Sequence, residues 1–423
     1  MRRRVVVYGM NYAPELTGVG RYTGDIGSYL AKQGVDVEVV TAVPHYPGWR
    51  VSYGYRNTYG VERRDGVRVT RCPLMLRAEG RGVWRLLAPL SFALSSAPVV
   101  IWRILSRRPD AVFCIEPTLF GAPAALLAAR LVGAGTVLHV QDLEVDAAFA
   151  VGHLRGVWLQ RAAGTVERAI LRAFGAIVAI SSRMQQRLRD KGVADSRLTL
   201  VRNWVDIDAM TAPDIVPLNA QEMDIPPGSL VAVYSGNVGP KQALRVVLDA
   251  AERLAAKPGV VFVIAGDGPE KPRLVARYGH LPNVRFLPVQ PEGRFRALMR
   301  FADVHLLPQD GAVADLVLPS KLGAMLASSK LSIVMAAPGT ELFEFLDGGG
   351  AIILPPGDSE ALAQTIETLA LDRAPALACN AGRLAMLESK RNLAAIDTVL
   401  SEVRASHRGA EVRAVAADTG GKI

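Results

Sequence analysis

A chain of 423 residues with 50% hydrophobic content exceeds the size at which one core keeps growing, so two folded domains are expected, and its scattered 39 glycines and 26 prolines exclude a collagen-like or disordered polymer. The net charge of +9 invites a nucleic-acid partner, but 6% aromatics and no run of more than three basic residues argue against one; anionic lipid or a phosphorylated substrate suits the excess better. Cys72, Cys114 and Cys379 form no Cys-x-x-Cys pattern and the histidines never fall at ligand spacing, so reduced thiols in a cytosolic chain, and no metal site, are expected.

Arg2 to Arg4 precede apolar Val5–Tyr8, but the run dies at Asn11 and Pro14 before the apolar core of a leader is complete, so it reads as a first strand. The loop Gly9–Gly20 follows. Val19, Tyr22, Ile26, Tyr29 and Leu30 then recur at helical spacing, which puts Gly18 and Gly20 where backbone meets a helix start. Val37–Val40 is a second strand ending in Pro44-His45-Tyr46-Pro47-Gly48-Trp49. Such an aromatic loop at a strand's carboxyl end either contacts a ligand or covers a sheet edge. Val67–Arg71, Ala111–Ile115 and Thr136–Val140 are further strands, the last two separated by helical Ala122–Leu131; the alternation argues for a parallel, doubly wound sheet.

Leu86 to Trp102 carries no charge and is bracketed by Arg85 and Arg103. It falls short of the ~20 residues that span a bilayer, and Pro89 and Pro98 interrupt it. The expectation is a helical hairpin, lying on a surface or partly buried, with a core helix as the alternative. Ala176–Ile180 is a strand, and Ser181 or Ser182 caps the helix Met184–Lys191. Asp208–Ser229, poor in pattern and rich in proline, reads as a linker.

Val231–Tyr234 is a strand followed by Gly236 and Gly239, with Lys241 at a helix start. Free backbone N–H groups, the positive end of a helix dipole and one full charge make an anion site fit for a phosphate or diphosphate, although an ordinary βα turn has the same outline. Val-Ala-Val-Tyr-Ser-Gly-Asn here echoes Val-Val-Val-Tyr-Gly-Met-Asn at the N-terminus, a hint of two similar domains. Val260–Ile264, Val284–Leu287, Val304–Leu307, Ser332–Met335 and Ala351–Leu354 continue the strand series. The organisation expected is an N-terminal domain over 1–207, a linker over 208–229, a C-terminal domain over 230–385, a closing helix over 386–405 and a loose tail over 406–423.

Six segments in order carry a resemblance: Asn11 to Gly20, Leu138-His139-Val140-Gln141-Asp142, Tyr234-Ser235-Gly236-Asn237, Gly266-Asp267-Gly268-Pro269, Leu318-Pro319-Ser320-Lys321 and Pro355-Pro356-Gly357-Asp358. With them the chain resembles glycosyltransferase family 4, in particular its colanic-acid and capsule branch. The resemblance implies an α/β GT-B fold, two Rossmann-like doubly wound domains facing a central cleft, the first on the acceptor side and the second binding a donor nucleotide sugar. It implies a retaining, metal-independent transfer without cofactor, of fucose or an N-acetylated amino sugar.

Carried onto this sequence, Gly18, Gly20, Gly236, Asn237, Gly266, Gly268, Val289, Pro319 and Ser320 hold the donor, with Lys241 as the phosphate lysine. The arginine usual upstream of that lysine is replaced by Asn237, and Lys321 is the candidate to substitute for it. The family's paired glutamates fall at Leu316 and Ala324, so Asp315 is the nearest carboxylate and the second partner is missing. The family's His-Asp reads Gln141-Asp142, with Glu144 close by. Asp315, Lys241, Lys321 and Asp142 are thus the catalytic candidates, and His45, Tyr46, Trp49, Gln141 and Glu144 the acceptor contacts. A polyprenyl-diphosphate-linked glycan is the expected acceptor. The arginines flanking Leu86–Trp102, from Arg77 to Arg108, would hold the protein to an anionic membrane, peripherally and on its cytoplasmic face. A nucleotide-sugar epimerase and a non-catalytic sugar-nucleotide-binding protein are the competing readings.

Overall fold

The computed structural model describes residues 2–15, 18–46, 48–76, 84–116, 119–143, 145, 157–310, 317–372 and 381–419. The chain divides into two compact units, residues 1–202 with 392–423, and residues 203–391.

In the first unit eight strands form one sheet: β1 (Arg4–Tyr8), β2 (Asp36–Ala42), β3 (Gly60–Arg64), β4 (Val67–Cys72), β5 (Ala111–Glu116), β6 (Gly135–Val140), β7 (Ala176–Ala179) and β8 (Leu198–Leu200). Their order is β3-β4-β2-β1-β5-β6-β7-β8, parallel throughout except for β3, which runs antiparallel to β4. Helices cover the faces, so the central strands are apolar on both sides; β5 and β6 are buried along their whole length. The order reverses between β1 and β5, and a ligand crevice of an open α/β sheet lies outside the carboxyl ends of the strands at such a point. The loop after β1 leads into helix α1 (Val19–Lys32), which opens that crevice.

The strand β3 was not expected, because Gly-Val-Glu-Arg-Arg lacks an apolar face. An edge strand tolerates charge, and the turn chemistry was there to be read: Asp65 and Gly66, both at positive φ, are the two residues of a tight hairpin pairing Arg64 with Val67.

The uncharged segment is not a hairpin. It forms one helix, α2 (Trp84–Arg107), that continues through Pro89 and Pro98. Phe92, Ser96, Val100 and Ile104 are buried on one side, while Leu90, Leu94 and Leu105 stay exposed on the other. Arg103, expected to face a membrane, is buried beside Glu38 of β2, with Nε 2.9 Å from the carboxylate. Arg107 reaches the other oxygen of Glu38 at 3.0 Å. A carboxylate buried on a strand needs cations around it, and these two arginines supply them.

In the second unit β9 (Leu230–Ser235), β10 (Val260–Ala265), β11 (Val284–Leu287), β12 (Val304–Leu307), β13 (Leu331–Met335) and β14 (Ile352–Leu354) form a parallel sheet in the order β11-β10-β9-β12-β13-β14. Strand order here reverses between β9 and β12, so the loops after those two strands face one crevice. On one side the helix Leu244–Arg253 lays Leu244, Val247, Leu248 and Ala251 against Phe262 and Ile264. Burying each such leucine contributes about 1.5–3 kcal/mol.

Residues 208–229 are not a free linker. Met210, Met223 and Ile225 are buried in the core of the second unit together with Val231 and Val263, so apolar anchors hidden among prolines place the segment there. The closing helix runs Ser389–Thr419, on through the stretch expected to be loose; alanine, glutamate and arginine there are strong helix formers. Its Val403 fills the space left by Gly135 and Gly175, and Arg404 pairs with Asp110 at 3.0 Å, which assigns the helix to the first unit.

Candidate functional site

In the second unit the loops after β9 and β10 are built on glycine. Gly236, Gly266 and Gly268 lie at φ of 144°, 145° and 156°, where an L side chain is strained. They also bring two loops into direct contact: a Cβ on Gly266 would stand 1.8 Å from the Gly236 carbonyl oxygen, and one on Gly268 would stand 2.3 Å from that of Val238. Val238 N–H donates to Asp267 O at 2.8 Å and Glu270 N–H to Val238 O at 3.1 Å, lacing the loops together. The glycines are therefore required by packing as well as by turn geometry.

Lys321 begins the helix Lys321–Ala327, one residue past Leu318-Pro319-Ser320. Its Nζ sits 3.7 Å from the centroid of the Tyr234 ring and 3.5 Å from where a Cβ of Gly236 would be. Among the described residues no carboxylate pairs with it, and burial pushes its ammonium down to about 7. A half-buried cation stacked on an aromatic face beside a glycine loop is poised for an external anion. Tyr234, whose phenol burial pushes well up, stays protonated and donates to Asn237 O at 2.5 Å, which fixes the ring under the lysine.

Lys241 lies on the exposed turn Pro240–Gln242, and its carbonyl accepts from Asp310 N–H at 3.2 Å, tying the loops that follow β9 and β12. Asn237 does not take over the role of the missing arginine: its amide donates to Gln242 Oε1 at 3.2 Å, and the same oxygen accepts from Gly239 N–H. Val289 is exposed just beyond β11. Ala324 is buried. Asp315 lies outside the described residues.

In the first unit the organising group is Glu15, to which the sequence reading gave no role. Its carboxylate is buried: Oε1 accepts the backbone N–H groups of His45 at 2.9 Å and Tyr46 at 3.0 Å, while Oε2 accepts from Asn11 Nδ2 at 2.9 Å. Gly20 is a glycine because a Cβ there would meet Glu15 Oε2 at 2.4 Å. Gly18, at φ 65°, packs against the ring of Tyr46. An acid between Pro14 and the glycines Gly18 and Gly20, with no helix face to decorate, was the available signal.

His45 is buried, with Nδ1 donating to Val43 O at 2.9 Å and Nε2 lacking a partner among the described residues. Trp49, at φ 51°, sets its indole 5.7 Å from that imidazole, and Tyr46 is exposed. Backbone strain in a non-glycine residue at this loop is the kind that collects at functional sites. Gln141 is buried with its amide 3.1 Å from Nε2 of His139, whose ring burial holds neutral, its pKa down at about 3. Asp142 is exposed beside it, and Glu144 lies outside the described residues.

Residues 17–204 match the model of a glycosyl transferase 4-like domain, and residues 229–372 that of glycosyl transferases group 1. The chain is 38% identical over 375 residues to WcaI of Escherichia coli (strain K12), named as a colanic acid biosynthesis glycosyl transferase, covering 86% of this chain and 91% of that one. Among solved structures it is similar to sucrose-phosphate synthase from Thermosynechococcus elongatus, with a TM-score of 0.72 at 14% identity over 96% of this chain and 100% of that one. It is also similar to HepE of Anabaena, solved in complex with UDP and glucose, with a TM-score of 0.65 at 16% identity over 95% and 100%.

Proposed function

The chain belongs to glycosyltransferase family 4, the retaining enzymes of the GT-B fold, and from that premise we propose that it moves a sugar from a nucleoside diphosphate sugar to a lipid-linked glycan. The relative named for colanic acid biosynthesis favours a role in building colanic acid, capsule or a similar polysaccharide, with fucose or an N-acetylated amino sugar as the group transferred. HepE, solved with UDP and glucose, favours a nucleoside diphosphate donor. The observation that carries the reading is Lys321, a half-buried cation held over Tyr234 against the glycine loops.

In such a transfer the bond from the anomeric carbon to the diphosphate oxygen breaks, and its electron pair leaves with the diphosphate. The acceptor hydroxyl oxygen bonds to the anomeric carbon and its proton passes to the departing phosphate. The difficult part is the charge that grows on that phosphate. Lys321, seated against Gly236, and Lys241 stabilise it in place and need no reorganisation during the step. Asp315 contacts the donor sugar, and Asp142 orients a hydroxyl. On the acceptor side His45 and Tyr46, whose backbone N–H groups Glu15 holds, and Trp49 beside His45 form the platform. The enzyme acts at the cytoplasmic face of the membrane, where its lipid acceptor resides; the buried free thiols Cys72 and Cys114 suit that compartment.

The test is incubation with labelled nucleotide sugars, with and without a polyprenyl-diphosphate-linked glycan. Label in the lipid product supports transfer. Isomerised sugar without acceptor makes the chain an epimerase, and binding without turnover makes it a sugar-nucleotide-binding protein.

A further inference from the structure

One layer of helices on the first unit has an outward face that the fold leaves unexplained. α2 packs against α3 (Ala122–Val132), and α3 against the helix Val157–Ala173, so the three lie side by side. Their crossovers, into β5, β6 and β7, put them on one face of the sheet.

The outward residues recur at helical spacing on each. On α2 they are Leu90, Leu94, Pro98 and Leu105, on α3 Leu127 and Leu131, and on the third helix Trp158, Ala162, Val166 and Ala169. Leu94 is 72% exposed, Leu131 68% and Trp158 82%. The only acid in all three helices is Glu167, which is turned inward and paired with Lys191 at 2.5 Å. Exposed charge on the layer is therefore basic: Arg130, Arg161, Arg168 and Arg172. Arg161 stacks over the Trp158 ring at 5.8 Å, the pairing of an indole and a cation suited to a water–lipid boundary.

From this geometry we propose that the outward face of the three-helix layer is the surface by which the chain docks on an anionic phospholipid membrane. Arg103 and Arg107 are engaged with Glu38, so α2 contributes leucines and the charge comes from the two helices beyond it. A protein partner is disfavoured because, among the described residues of these three helices, no acid is exposed to set register. A lipid surface needs only apolar side chains that can enter it and arginines that meet phosphate. The membrane reading of the proposed function gives this surface its use, but vesicle binding is measured without acceptor or donor and stands apart from transfer.

The test is co-sedimentation of the full chain with vesicles of phosphatidylcholine, alone and with phosphatidylglycerol. Each arginine near an anionic leaflet is worth about fivefold in partition, so Arg161→Gln, Arg168→Gln and Arg172→Gln together should lower binding to anionic vesicles by about 100-fold. Trp158→Ser with Leu94→Ser should weaken binding to the same vesicles, while Arg103→Gln with Arg107→Gln should alter it less than tenfold. Transfer to a water-soluble, short-chain acceptor is the readout that reports on the catalytic reading alone, and the surface variants should retain it along with nucleotide affinity. Undiminished vesicle binding by the triple variant overturns the proposal. So does equal binding to neutral vesicles, or a dimer in solution that Trp158→Ser dissociates.

Discussion

Replacing Lys321 by Met keeps the aliphatic stem on the Tyr234 ring and removes the charge. Because burial brings the folded pKa down to about 7, half the free protein carries the ammonium at pH 7 and about a tenth at pH 8. A nucleoside diphosphate that requires the charged form should then bind about fivefold more weakly at pH 8 than at pH 7. Ligand titration adds little over that range, since the phosphate's own last proton leaves near pH 6. Titration calorimetry of UDP and of GDP across pH 6.5–8.5 reads this slope, and proton uptake on binding gives it a second time through the buffer dependence of the heat. Lys321→Met should bind about 10- to 100-fold more weakly at pH 7, the loss of one charged hydrogen bond, and show no slope. Stability moves the other way. The folded pKa lies below the unfolded one, so between pH 7 and the ordinary lysine range the unfolded chain holds the extra proton, and this group's contribution to stability rises with pH there. At pH 7 the free variant should melt about 2–4 °C higher for each kcal/mol relieved. Flat wild-type affinity between pH 7 and 8, or a variant that keeps the wild-type slope, would refute the assignment of Lys321 to the diphosphate.

Lys241→Ala should lower turnover by about 100-fold or more, as expected when a charge at the leaving phosphate is lost, and initial rates at saturating donor measure it. Transfer should persist in EDTA because lysines supply the countercharge; abolition by chelator with rescue by Mg²⁺ would contradict that. Gly266→Ala forces a Cβ to 1.8 Å from the Gly236 carbonyl oxygen, so the loops must part, with loss of nucleotide binding in calorimetry and a lower melting temperature. Glu15→Ala leaves the His45 and Tyr46 N–H groups unpaired at about 1–3 kcal/mol each. Its transfer should fall while nucleotide affinity in the second unit stays at the wild-type value, and equal loss of both would show that Glu15 acts on global stability alone.

The class of fold and the glycine chemistry of the donor loops are written in residue type and order. Parallel strands buried on both faces read as apolar runs, and glycines forced by positive φ are visible as residue types, so β9, β10 and the glycines between them were legible in order. The antiparallel β3 escaped because an edge strand need not be apolar, although Asp65-Gly66 announced its turn. The arrangement of charges was decided only in three dimensions. An arginine beside an uncharged stretch looks the same whether it faces lipid or a buried Glu38, because its partner lies on a strand far away in sequence. Trp158, Leu131 and Leu94 belong to separate segments, and only the crossovers of the sheet make them one face. Glu15 has no pattern of its own; its role exists because the loop after β2 returns two backbone N–H groups to its carboxylate. Lys321 is one lysine among many in sequence, and only the packing of Tyr234 beneath it removes the water that would have made it ordinary.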